Sequence, residues 1–230
     1  GAPLGALIEV SPVNLKTEPP PVEATVRTPA DRLELLEAEG LSYHFPQSDN
    51  GVADVNLRLR RGTLTVITGR VGSGKTTLLR ALLGLLPAEA GELRWNGAPV
   101  TAPGDFFIPP RAAYTPQTPR LFSASLRDNI LLGLDKSDAE VEAALNLAVM
   151  ERDLVELDHG LDTLVGPRGV RLSGGQAQRS AAARMFVRQP ELLVFDDLSS
   201  ALDVETERQL WERLFAAQGE TTCLVVSHRR

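Results

Sequence analysis

The chain has 230 residues with 24 Lys and Arg against 30 Asp and Glu, a formal charge of −6. That length suits one ordinary domain, or a core domain with a smaller lobe, and the acidic balance argues against a nucleic-acid partner, which calls for a basic surface. The single cysteine, Cys223, excludes an internal disulfide and reads as a small buried hydrophobe suited to a reducing compartment. No apolar run approaches the roughly 20 residues needed to span a bilayer. The chain opens on Gly1 without an initiator methionine or a secretory pattern, so it reads as a piece of a longer polypeptide.

Residues 1–32 are proline-rich, with "TEPPPVEATVRTP", and read as a linker or extended tail. Regular structure is expected from about Leu33. "LELLEAEGLSYHFP" and "VADVNLRLRRGTLTVITG" read as strands, with alternating apolar and charged residues in "NLRLR" and a turn at Arg61-Gly62. In "GSGKTTLLRALLGLLP" the leucines at 78, 79, 82, 83 and 86 recur at helical spacing until Pro87. "GELRWNGAPV" carries the Asn96-Gly97 pair of a tight hairpin. "SDAEVEAALNLAVMERDLVEL" predicts one amphipathic helix, opened by a Ser137/Glu140 capping box, with Val141, Ala144, Leu145, Ala148 and Val149 on its apolar face. A further helix starts near Ser173 and ends before Pro190. After it come the apolar strand ending at Asp196, a helix through "VETERQLWERLFAAQ" and a last strand "TTCLVV". Alternating strands and helices imply a parallel sheet covered by helices. About 118–171 the pattern is helical only and reads as a separate lobe.

Two stretches carry chemistry on their own. "GRVGSGKTT", Gly69 to Thr77, fits G-x-x-x-x-G-K-[ST] between a strand and a helix. Gly69, Gly72, Ser73 and Gly74 let backbone N–H groups wrap phosphates at a helix N-terminus. Lys75 reaches the β- and γ-phosphates, and the hydroxyl of Thr76, followed by Thr77, is placed to ligate Mg²⁺. Downstream, "LLVFDD" ends a strand on Asp196, the acid that steadies the metal in such sites, and Asp197 follows it directly.

The third stretch, "LSGGQAQR" from Leu172 to Arg179, lies between those two. With the phosphate loop before it and "VFDD" after it, the chain resembles the ATP-binding cassette (ABC) ATPases from about Leu33 to His228. The resemblance implies an α/β fold: a P-loop NTPase parallel-sheet core with an antiparallel β subdomain and a separate α-helical subdomain at about 118–171. It implies ATP and Mg²⁺ as ligands, and a second cassette, identical or different, packed head to tail around two MgATP. Ser173, Gly174, Gly175 and Gln176 would then touch the nucleotide held by the partner, with Asp203 of "SALD" at the same interface. Asp203 also reads as an ordinary cap for the next helix, and both readings stand together.

By the same resemblance Gln117, in "YTPQTPRLF", is the glutamine that senses Mg²⁺ and the membrane partner. His228 is the switch histidine at the γ-phosphate. Phe45 takes the place of the ring that stacks on adenine, with a plain packing role as the alternative and Tyr43 as the weaker choice. "PRLFSASLRDNILLG" and "GLDTLVGPRGVRLSGGQ" look most like exporter-type cassettes. These carry a transmembrane domain in the same transporter and work at the cytoplasmic face of the cell membrane. The implied function is ATP binding and hydrolysis that drives transport.

Three departures qualify the likeness. The residue after Asp196 is generally Glu, the general base, and here it is Asp197, about 1.5 Å shorter in reach. That leaves a slow base, a base whose backbone has moved closer, or a regulatory cassette with little hydrolysis. Pro167 stands where exporters often carry Glu. The chain also stops at Arg230, before the family's further strands and helix, so its C-terminal end reads as truncated.

Overall fold

The computed structural model describes residues 26–217 and 221–227. The linker reading over 1–25 and the switch-histidine reading at His228 lie outside the described residues. Two sheets organise the chain. The first is antiparallel, β2-β1-β4-β5, from β1 (Leu35–His44), β2 (Gly51–Arg60), β4 (Ala90–Trp95) and β5 (Ala98–Pro99). The second is parallel, β3-β10-β9-β6, from β3 (Leu64–Ile67), β6 (Ala112–Thr115), β9 (Leu192–Asp196) and β10 (Thr222–Val226). Helix α1 (Lys75–Leu82) lies between them.

Strand alternation explains the layering. Leu192, Val194, Leu224 and Val226 face α1, where Leu78, Leu79 and Leu82 also meet Leu36, Ala38 and Leu41 of β1. The intervening Leu193, Phe195, Cys223 and Val225 face a second core, built with helices α3 (Leu126–Leu131), α4 (Asp138–Leu147), α6 (Gly174–Phe186) and α7 (Val204–Ala217). Strands buried on both faces read as continuous apolar runs, as "LLVF" does. Burial pushes the Cys223 thiol up to about 12, so it is an inert core residue. The shorter elements are α2 (Pro103–Phe106), α5 (Glu151–Glu156) and a two-stranded ribbon of β7 (Ala124–Ser125) with β8 (Leu164–Val165). No helix among the described residues is long and apolar enough to cross a membrane.

The Asn96-Gly97 hairpin forms with both residues at positive φ, 54° and 81°, as its turn type requires. Elsewhere tertiary contacts override the local pattern. The helix expected over the whole of "SDAEVEAALNLAVMERDLVEL" is two helices, α4 and α5, broken at Val149 with φ 58°. The break buries Met150 fully beside Ser180 of α6. Arg213 of α7 donates to the Asn146 carbonyl at 2.6 Å, beside the Val149 N–H at 3.0 Å, and pairs with Glu151 at 2.6 Å. Helix α1 ends at Leu82 rather than running to Pro87, because Gly84 turns left-handed where a Cβ would meet Gly104 N at 2.2 Å. The segment about 118–171 is not purely helical, since the β7–β8 ribbon belongs to it.

Ordered structure also begins before Leu33. Thr28 and Arg111 hold the buried Asp31, and Arg27 pairs with Glu191 at 3.4 Å. Burial raises the Asp31 carboxyl, but the hydrogen bonds from Thr28 and the Arg111 charge outweigh it, so its pKa falls below the usual carboxylate range.

Candidate functional site

The turn from β3 into α1 makes the phosphate loop. Gly74 caps α1 at φ 87°, and a Cβ there would lie 2.8 Å from both the Gly51 carbonyl and Val52, so neither conformation nor space admits a side chain. No side chain caps the α1 N-terminus, which leaves its first-turn N–H groups to an anion. Lys75 is nearly buried, and its ammonium donates to the Gly69 carbonyl at 2.9 Å and the Arg70 carbonyl at 2.8 Å. The cation is thus held by carbonyls of its own loop.

Asp196 and Asp197 enter separate hydrogen-bond networks. Asp196 shares a sheet face with Val194 and points toward α1. There Thr76 Oγ1 donates to its Oδ1 at 3.0 Å and the Tyr114 hydroxyl donates to its Oδ2 at 3.2 Å. Burial is the main reason the Tyr114 phenol is raised above its ordinary value, so it stays a donor at neutral pH. Asp197 turns off the strand at φ 57°, a left-handed conformation that Asp tolerates better than most residues. Its N–H donates to the Val226 carbonyl at 3.0 Å, and the residue is only 1% exposed. Gln117 Nε2 donates to Asp197 Oδ2 at 3.1 Å, and Ser199 Oγ approaches Oδ1 at 3.4 Å.

A cleft of about 530 Å³ gathers these groups. Gly72–Thr77, Gln117, Asp197 and Phe45 are among the residues that line it. Phe45 is 41% exposed, whereas Tyr43 is buried and meets its ring edge-on at 5.2 Å. The structure therefore brings Phe45, Gly72, Ser73, Gly74, Lys75, Thr76, Thr77, Gln117 and Asp197 together, and Asp196 joins them through Thr76.

Ser173, Gly174, Gly175, Gln176 and Asp203 are not part of that lining. Ser173 caps α6 in a reciprocal box: Ser173 N donates to Gln176 Oε1 at 2.8 Å and Gln176 N to Ser173 Oγ at 3.2 Å. A Cβ on Gly175 would crowd the Ala201 carbonyl at 2.9 Å, which ties the signature turn to the segment after Asp197. Asp203 accepts from Thr206 N and Oγ1 at 2.9 and 2.6 Å, and these bonds hold its carboxyl below the ordinary range.

Sequence reasoning missed two residues that the site contains. Gln178, 1% exposed on α6, donates to the Gln117 carbonyl at 2.5 Å and so ties the signature helix to the glutamine loop. Its signal was a polar residue on the buried face of that helix. Tyr114 is the other, and its signal was an aromatic with a polar tip three positions before Gln117.

Residues 52–200 match the ABC transporter family model. The chain belongs to the ABC transporter family. Similar proteins within it include the probable multidrug resistance ABC transporter ATP-binding/permease protein YheI of Bacillus subtilis (strain 168), 36% identical over 191 residues. That alignment covers 82% of this chain and 33% of YheI. Antigen peptide transporter 2 of Mus musculus is 35% identical over 84% of this chain and 28% of its own length. The chain thus spans between 13% and 34% of the length of curated relatives such as these. A solved bacterial Atm1-family ABC exporter with ATP bound superimposes with a TM-score of 0.78 at 28% identity, covering 91% of this chain and 36% of that one. The chain therefore corresponds to the ATP-binding part of its exporter-type ABC relatives and has their P-loop α/β fold.

Proposed function

We propose that the chain binds and hydrolyses MgATP at the cytoplasmic face of a cell membrane, closing head to tail on a second cassette to drive a transmembrane exporter domain. The observation that carries this is the single cleft in which an uncapped helix N-terminus, Lys75 and Asp197 converge beside an exposed aromatic ring. The phosphates replace the Gly69 and Arg70 carbonyls as partners of Lys75, and the adenine rests on Phe45. Thr76 Oγ1, Gln117 and the Asp196 carboxylate supply hard oxygen donors of the kind Mg²⁺ takes. When bound, the ion neutralises charge on the β- and γ-phosphates. Asp197 then accepts the proton of a water whose oxygen bonds to the γ-phosphorus as the bond to the ADP oxygen breaks. Gln117, bonded to Asp197, positions that carboxylate.

Titration of the native chain with MgATP, followed by phosphate release, tests the reading, and a chain that binds no ATP would overturn it. Phe45→Ala is expected to weaken ATP about tenfold, within the range of base–aromatic stacking, while inorganic triphosphate binding is unchanged. Equal loss of both ligands would assign the ring to packing.

The signature lies outside its own cleft, which supports a role at a partner's nucleotide. Ser173→Arg is accordingly expected to keep monomer MgATP affinity within about twofold but to abolish ATP-dependent dimers in sedimentation. It also removes the α6 cap, at a cost of about 1 kcal/mol. Loss of monomer binding would overturn the trans role. A second reading, a regulatory cassette with little turnover, is favoured by the short Asp197 side chain where the family has Glu.

A further inference from the structure

We infer that Tyr114 is a positioning residue for the metal-associated carboxylate, fixing the Asp196 plane from the side opposite Thr76. The inference rests on the MgATP reading of the cleft and adds a residue to it. Parallel pairing sets Tyr114 of β6 opposite Val194 of β9, so Tyr114 and Asp196 share a sheet face two residues apart. Two residues of strand are ~6.6 Å, a gap that a long side chain bridges, and the phenol oxygen reaches Asp196 Oδ2 at 3.2 Å.

The other carboxylate oxygen, Oδ1, accepts from Thr76 at 3.0 Å. On the MgATP reading, the Thr76 hydroxyl would turn from the carboxylate toward the metal. Tyr114 stays with the sheet. On that reading the phenol would be the donor that still holds Oδ2 when the metal is bound. Asp196 is 2% exposed, so water is poorly placed to substitute for that bond. Outer hydrogen-bond partners of this kind typically contribute 10- to 100-fold to metal affinity, and the low end applies where a second donor remains.

The test is Tyr114→Phe, which removes one oxygen and leaves the ring in place, with a thermal melt to confirm the fold. ATP binding by the whole chain is measured in excess EDTA and then along a Mg²⁺ titration at fixed ATP. The expected result is unchanged affinity in EDTA and a half-saturating Mg²⁺ concentration raised about tenfold. An unchanged Mg²⁺ midpoint, or an equal loss with and without Mg²⁺, would overturn the positioning role while leaving the nucleotide site intact. Failure of the native chain to bind ATP under either condition would instead overturn the functional reading, and the tyrosine inference with it.

Discussion

Lys75→Ala is expected to lose about 100-fold in MgATP affinity, the combined effect of charge-assisted hydrogen bonds to two phosphates. In the free protein the ammonium already bridges the Gly69 and Arg70 carbonyls. The substitution therefore costs twice: it removes the phosphate ligand and the clamp that holds the loop in shape. Lys75→Arg separates these contributions. It keeps the charge but cannot repeat both short carbonyl bonds in a nearly buried position, so its affinity is expected to fall between those of the other two proteins. Isothermal titration of the three proteins measures the order. Retained turnover in the alanine variant would remove the phosphate-loop assignment.

The second large effect is expected at Asp197. Asp197→Asn should cut ATP turnover about 100-fold or more, the contribution of a positioned general base, with MgATP affinity within about twofold of native. Asp197→Glu separates the remaining readings. A misplacement of ~1 Å costs on the order of 100-fold in rate, and the added methylene extends the carboxylate by about 1.5 Å. Turnover is expected to rise about tenfold, part of the gain being lost because Gln117 and Ser199 are spaced for the shorter side chain. The left-handed backbone at φ 57° also suits Asp better than Glu. The same variant should therefore melt about 2–4 °C lower. A fall in turnover would mean that the left-handed turn already carries the Asp197 carboxylate into place. No turnover in either form would favour the regulatory cassette.

Features written in adjacent residues were legible from the sequence. The Asn96-Gly97 turn, the Ser137/Glu140 box, the strand ending on Asp196 and the glycine loop before Lys75 each follow from local conformational preference. The α/β layout followed from their order. What escaped notice depends on distant partners. The break at Val149 exists because Met150 is buried against α6 and Arg213 of α7 caps the severed end. Docking of residues 27–31 depends on Arg111 and Glu191, far along the chain. Periodicity carries no information about such contacts. Tyr114 and Gln178 belong to the same class: each matters through a single atom, delivered by strand register or helix phase to a partner over 60 residues away in sequence. Sequence likeness already divided the roles of Asp196 and Asp197, but their hydrogen-bond partners depend on the turn after β9, which sends the two neighbours to different networks.

The contact of Gly74 with Gly51 and Val52 has a mechanical consequence. It welds the start of β2 to the phosphate cradle, and the turn leading into β2 descends directly from Phe45, whose N–H is bonded to the Asn50 carbonyl at 2.9 Å. On the MgATP reading, the platform for a base and the cradle for its phosphates would therefore be held at a separation set by the close approach of Gly74 to Gly51 and to the Val52 side chain. Such a cleft works as a gauge: a ligand must already have the right span between ring and terminal phosphates to engage both ends at once.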